Sequence, residues 1–165
     1  MARYADLKKN DTTNGNGICV SLWMQGCPHR CKGCHNPDTW DENGGQEATE
    51  DLKKEIISAL NSHGVLRNFS ILGGEPLTEN NISFVYEIIE QVRKEYPEIL
   101  IHLWTGYTLQ ELLDRNDSIT RSILSNIDYL IDGRFILEQR DITLKFRGSP
   151  NQNIYTKQEL LSKLK

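Results

Sequence analysis

Cys27, Cys31 and Cys34 fall within the eight-residue segment Cys27-Pro28-His29-Arg30-Cys31-Lys32-Gly33-Cys34. Thiolates at spacings of four and then three can converge on a metal centre. An iron–sulfur cubane takes one thiolate per iron, so three cysteines leave one iron without a protein ligand and open to chemistry. Structural zinc takes four ligands, and His29, His35 or the distant Cys19 could supply the fourth. A dithiol redox pair, Cys31-Lys32-Gly33-Cys34, also fits the bare spacing, although such pairs usually open a helix and need no third cysteine. The remaining thiol, Cys19, lies in an apolar stretch and reads as buried filler. A disulfide scaffold is disfavoured because no cysteine follows residue 34, so nothing beyond it could be stapled.

Alternating strands and helices must position this loop. Cys19 to Met24 is a short run of strand-favouring residues bounded by Gly17 and Gly26, so a strand ends where the cysteine loop begins. Leu52, Ile56, Ala59 and Leu60 recur at helical spacing from Thr49 to about Leu60, with Glu50 and Asp51 in the first turn where the helix dipole favours anions. Phe69–Leu72 and Ile99–Trp104 read as strands, and between them Ile82, Val85, Ile88, Ile89 and Val92 form one face of a helix that stops before Pro97. Thr108-Leu109-Gln110-Glu111 and Thr156-Lys157-Gln158-Glu159 are capping boxes. A further helix begins near Asp117, and Asp128–Asp132 is a strand. This alternation predicts right-handed crossovers and a mostly parallel α/β sheet, open or partly closed into a barrel.

In such sheets ligands gather at the carboxyl ends of the strands. The cysteine loop, Gly73-Gly74-Glu75-Pro76, Thr105-Gly106-Tyr107 and Asp132-Gly133-Arg134 each follow a predicted strand, so all four fall at one rim. Several residues also carry plain structural readings. His102 alternates with Ile101 and Leu103 as a satisfied strand histidine, Trp40 and Tyr107 pack, and Lys53-Lys54 forms a solvated helix face. His29 is a loop residue that tunes hydrogen bonding around the metal centre, or nothing more than a loop residue.

The length of 165 residues suits one domain spanning 1–165, and 38% hydrophobic content supports a real core. With 19 basic and 23 acidic residues the formal charge is −4, which supplies no basic excess for nucleic acid or anionic lipid. No run reaches the roughly 18 apolar residues that a bilayer span needs, and the N-terminus carries no signal-like stretch. A cytoplasmic protein that binds neither membrane nor nucleic acid is expected.

The Cys-x3-Cys-x2-Cys loop followed by Gly73-Gly74-Glu75-Pro76 resembles the radical S-adenosylmethionine enzymes. With Asn36-Pro37-Asp38-Thr39-Trp40, Trp104-Thr105-Gly106-Tyr107, Asp132-Gly133-Arg134-Phe135 and Phe146-Arg147-Gly148-Ser149-Pro150-Asn151-Gln152, it is similar to the activating proteins of anaerobic (class III) ribonucleoside-triphosphate reductase. The resemblance implies a partial parallel β/α barrel forming a single activase domain, with Cys27, Cys31 and Cys34 holding a 4Fe-4S cluster whose fourth iron is chelated by S-adenosylmethionine. It implies cofactor contacts from Gly33, Cys34 and His35 on the adenine side. Gly73, Gly74 and Glu75 would meet the methionine amino group, with the Gly74 backbone against the cofactor. Asp132 and Arg134 would reach the ribose or the methionine carboxylate. The implied reaction is reductive cleavage of S-adenosylmethionine to methionine and a 5′-deoxyadenosyl radical, which takes a hydrogen from a backbone glycine of the large reductase subunit. An electron donor such as a flavodoxin would supply the electron. Activation of another glycyl radical enzyme, such as a formate lyase, and a non-catalytic zinc-binding adaptor are the alternatives. Relative to the family pattern, His35 stands where an aromatic ring is common, Gly15-Asn16-Gly17 replaces a glycine-proline-glycine turn, and Cys19 replaces an arginine.

Overall fold

A computed structural model describes residues 1–165. The chain forms seven strands and five α-helices. They are β1 (Arg3–Asp11), β2 (Cys19–Met24), β3 (Gln46–Glu47), α1 (Glu50–Leu60), β4 (Asn68–Gly73), α2 (Ile82–Glu95), β5 (Ile101–Trp104), α3 (Leu109–Asp114), α4 (Ser118–Asn126), β6 (Tyr129–Asp132), β7 (Asn153–Thr156) and α5 (Lys157–Leu164). One sheet runs β3-β1-β2-β4-β5-β6-β7. Its centre, β2-β4-β5-β6, is parallel. The flanking strands β1, β3 and β7 pair antiparallel.

The expected helix starts are present as capping geometry. The Thr49 side chain accepts from the Leu52 amide, Asp117 accepts from Thr120, and Thr108 and Thr156 close reciprocal capping boxes with Glu111 and Glu159. Each satisfies amides that a bare helix end would orphan.

The two faces of the parallel sheet differ in chemistry, because successive side chains on a strand point to opposite sides. Val20, Leu22 and Met24 of β2, Phe69 and Ile71 of β4, Ile101 and Leu103 of β5 and Leu130 of β6 join a single apolar core to which all five helices contribute. The other face carries one row of Ser21, Ser70, His102 and Tyr129 in register, and above it Trp23 paired with Leu72, and Trp104 with Ile131. Instead of helices, the turn around Gly15 covers the lower row. Ser21 donates to Asp11 at 2.8 Å, Ser70 donates to the Asn14 carbonyl at 2.6 Å, and the Asn16 amide donates to His102 Nε2 at 3.1 Å. Gly15 has φ +119°, and a Cβ there would lie 2.7 Å from Ser70 Oγ and 2.8 Å from Cys19 Sγ, so only glycine permits this approach. Cys19 is fully buried beneath the turn. The upper, aromatic row is left to line a cavity at the carboxyl ends of the strands.

Lys53 departs from the expected solvated helix face. It is 6% exposed, forms ion pairs with Glu50 at 2.8 Å and with Glu87 of α2, and lies over the Phe84 ring. Its aliphatic stem fills the α1–α2 seam while its ammonium reaches two acids at the surface. Lys54 is exposed.

Candidate active site

The cysteine loop leaves β2 at Gln25 and has no helical or strand ladder until the single turn Pro37–Thr39. Backbone bonds pin its two ends. The Gly26 amide donates to the Thr39 carbonyl at 2.7 Å, the Cys27 amide donates to Trp40 at 3.2 Å, and the Gly26 carbonyl accepts from the Glu75 amide at 2.8 Å. Buried Gln25 ties down the far side by donating from Nε2 to the carbonyls of Asp38 and Asp41. Within the loop the Cys34 amide donates to the Cys31 carbonyl at 3.1 Å, and the Asn36 amide points at Cys34 Sγ at 3.4 Å. Arg30 and Gly33 adopt positive φ, +49° and +79°, which turns the chain sharply between the cysteines.

All four cysteines are free thiols, and Cys27, Cys31 and Cys34 are partly exposed. These three line one cavity of about 210 Å³, together with His29, Trp104 and the Gly73–Gly74 backbone. Burial pushes the Cys27 thiol up, and the nearby Glu75 carboxylate adds to this, while the His29 and Arg30 amides directed at the sulfur partly offset it. Three free thiols on one cavity wall, with a glycine backbone facing them, suit an iron–sulfur cubane, which takes one thiolate per iron and leaves its fourth iron open.

Behind the loop, Glu75 is fully buried. Its Oε1 accepts from His29 Nε2 at 2.8 Å and from the Gly106 amide at 2.7 Å, its Oε2 accepts from the Leu77 amide at 2.9 Å, and Thr105 Oγ1 lies 3.0 and 2.8 Å from the two oxygens. These donors replace the water that a buried carboxylate has lost.

A family model described as "4Fe-4S single cluster domain" matches residues 13–155. A protein of Vibrio cholerae serotype O1 is 41% identical over 146 residues, covering 88% of this chain and 92% of the relative. One from Escherichia coli K12 is 36% identical with the same coverage, and one from Enterobacteria phage T4 is 32% identical over 88% of each chain. All three are named anaerobic ribonucleoside-triphosphate reductase-activating protein. The chain belongs to this family.

For this family member, the structure brings together most of the residues singled out in the sequence and sets three apart. Cys27, Cys31, Cys34, His35, Gly73, Gly74 and Arg134 line the cavity, whereas Gly33, Glu75 and Asp132 do not. Gly33 faces Leu137, whose Cδ1 a Cβ would meet at 2.7 Å. Asp132 is buried and accepts from the amides of Leu109 and Asn153, so it closes β6 onto α3 and β7. Arg134 pairs with Glu111 at 2.8 and 3.1 Å. His102 is buried, accepts from Asn16 and stacks on Tyr129 at 5.3 Å, in keeping with a structural histidine.

Thr105 lines the wall at the strand-end rim where the sequence places it, and Trp23, Trp104, Phe135 and Gln152, to which the sequence assigns no site role of their own, complete it. Gln152 holds the loop after β6 by accepting from Gly148 and donating to Gly133.

Proposed function

We propose that this chain activates anaerobic ribonucleoside-triphosphate reductase by generating a glycyl radical in it, with Cys27, Cys31 and Cys34 holding a 4Fe-4S cluster beside S-adenosylmethionine. The observation that carries this reading is the sharing of one cavity by the three free thiols and the Gly73–Gly74 backbone, at the carboxyl ends of the parallel strands. When bound, the cluster and S-adenosylmethionine supply a one-electron reductive cleavage that yields a 5′-deoxyadenosyl radical able to take hydrogen from a partner glycine.

The chain's own residues bind, orient and exclude water. The cysteines ligate, and the Asn36 amide directed at Cys34 Sγ stabilises thiolate charge. His35, 6.0 Å from the Phe135 ring, offers an aromatic face for adenine. Arg134, held by Glu111 at the cavity edge, suits the carboxylate of the methionine moiety. Trp23 and Trp104 give the cavity dry walls. Glu75 and Asp132 support these groups from behind rather than touching the cofactor.

The sheet is read as a partial parallel β/α barrel of radical S-adenosylmethionine type, forming one domain over residues 1–165. Supporting this, every helix packs on one face, and the opposite face carries the cavity. The antiparallel edge strands do not meet, which leaves a side open for a partner's glycine loop. The electron donor is read as a small one-electron carrier such as a flavodoxin. Exposed Arg30 and Lys32 flank Cys31 and would face an acidic carrier. A cytoplasmic setting fits, and no helix is long and apolar enough to cross a membrane.

Anaerobic reconstitution with iron and sulfide tests the reading. A brown protein with about four irons per chain, lost in Cys31→Ala, is the expected outcome. Stoichiometric zinc binding without iron uptake would overturn it.

A further inference from the structure

From Pro28 to Gly33 the cysteine loop makes one hydrogen bond to the rest of the protein, from His29 to Glu75 at 2.8 Å. We propose that His29 is a positioning residue: through Glu75 it latches the cysteine loop to the Thr105–Gly106 rim, and so sets where the cluster stands relative to S-adenosylmethionine. This rests on the cavity reading given above.

Three observations support the latch. First, the loop does not hold its shape by local preference, because Arg30 sits at φ +49°, a conformation that costs a non-glycine residue energy unless its surroundings impose it. An anchor between Cys27 and Cys31 is therefore needed; His29 supplies the hydrogen-bonded one, and the Arg30 guanidinium adds a contact 5.6 Å from the centre of the Trp40 ring. Second, the far end of the bond is immobile. Glu75 is fully buried, and its two oxygens are already held by Thr105, Gly106 and Leu77, so the bond from His29 ends on a carboxylate that is fixed in place. Third, the ring is slotted as well as bonded. It meets Tyr107 edge-on at 4.5 Å, and a Cβ on Gly106 would lie 2.4 Å from its Cδ2. Gly106 thus leaves room for the histidine.

His29, Thr105 and Gly106 all line the cavity that holds the three thiols. Moving the latch therefore changes the separation between the cluster wall and the opposite wall, without removing a ligand from either. A group of this kind acts through alignment, and losses of roughly 10-fold or more accompany removal of comparable supporting bonds at metal sites.

The test compares reconstituted wild type, His29→Ala and His29→Gln, since a glutamine amide can donate from nearly the same place as Nε2. Iron per chain, equilibrium binding of S-adenosylmethionine and the electron paramagnetic resonance spectrum of the reduced cluster, with and without S-adenosylmethionine, are read for each. The expected result is iron retention in all three. His29→Ala should show affinity for S-adenosylmethionine weakened about 10-fold and a diminished spectral response to it, with most of both restored by His29→Gln. Iron loss in the alanine variant that glutamine prevents also supports the latch. It is overturned if His29→Ala binds S-adenosylmethionine within about two-fold of wild type with the same spectral response, or if glutamine is as impaired as alanine. A wild-type protein that takes up no iron refutes the underlying cavity reading instead.

Discussion

The Cβ that Gly74 lacks would lie 2.7 Å from the carbonyl oxygen of Gly26 and 2.9 Å from that of Thr39. The glycine just after β4 is thus fitted to the backbone of the cysteine loop. From the sequence, Gly74 was expected to be glycine so that a cofactor could approach. Its backbone does line the cavity, yet the nearest obstacle to a side chain is the loop that carries Cys27.

Gly74→Val is consequently expected to displace Gly26 and Cys27 and to cut iron content after reconstitution to well under half of wild type. Iron analysis checks this. Full iron content combined with weakened S-adenosylmethionine binding would show instead that Gly74 matters only to the cofactor.

Acid should loosen the turn beneath the cavity. Burial alone would raise the Asp11 carboxyl, but hydrogen bonds from Asn14, Thr13 and Ser21 outweigh it and hold the pKa at about 2, against 3.8 unperturbed. A folded pKa below the unfolded one gives stability that is present above pH 3.8 and lost as pH falls toward 2. The difference corresponds to about 2 kcal/mol. Burial likewise pushes the His102 imidazole down from 6.5, so protonation opposes folding progressively as pH drops below that value. Denaturant titrations from pH 7 to pH 2 should show wild type losing stability in both windows, and Asp11→Ala losing the lower one.

At the α1–α2 seam, Lys53 contributes mainly through its stem, because its partner carboxylates Glu50 and Glu87 are largely exposed. Lys53→Met should stay within about 1 kcal/mol of wild type, and Lys53→Ala should cost roughly 1–2 kcal/mol. Chemical denaturation separates the two. Equal losses in both would assign the energy to the ion pairs.

Arg134 and Glu111 separate stability from binding. Both side chains are more than two-fifths exposed, so Glu111→Gln should change stability by less than about 1 kcal/mol, although Arg134 holds the Glu111 carboxyl down at about 2. Arg134→Ala should also leave the melting temperature nearly unchanged, yet weaken S-adenosylmethionine binding, as equilibrium dialysis would show. Unchanged affinity would remove Arg134 from the cofactor wall.

Periodicity revealed the parallel core because its strands are apolar runs and its helices have apolar stripes closed by capping residues such as Thr108 and Thr156. The antiparallel edges were missed for a physical reason. Strand β1, Arg-Tyr-Ala-Asp-Leu-Lys-Lys-Asn-Asp, is polar and is held by pairing with Leu22 and its neighbours on β2 rather than by burial. The gathering of three cysteines beside a glycine-rich rim was legible from spacing and from position after a strand. The support behind them was not, since nothing local to His29 or Glu75 signals that residues 46 positions apart are hydrogen-bonded. Buried partnerships of this kind are set by tertiary packing and leave no periodic trace.

Under the proposed function, the three-cysteine cavity installs a glycyl radical in the reductase. The most direct measurement mixes the reconstituted protein anaerobically with anaerobic ribonucleoside-triphosphate reductase, S-adenosylmethionine and a one-electron reductant, and records the electron paramagnetic resonance spectrum. A glycyl radical signal on the reductase that requires S-adenosylmethionine and is absent with Cys31→Ala is the predicted result. No signal from an iron-replete wild-type protein, or an equal signal from Cys31→Ala, would contradict the account.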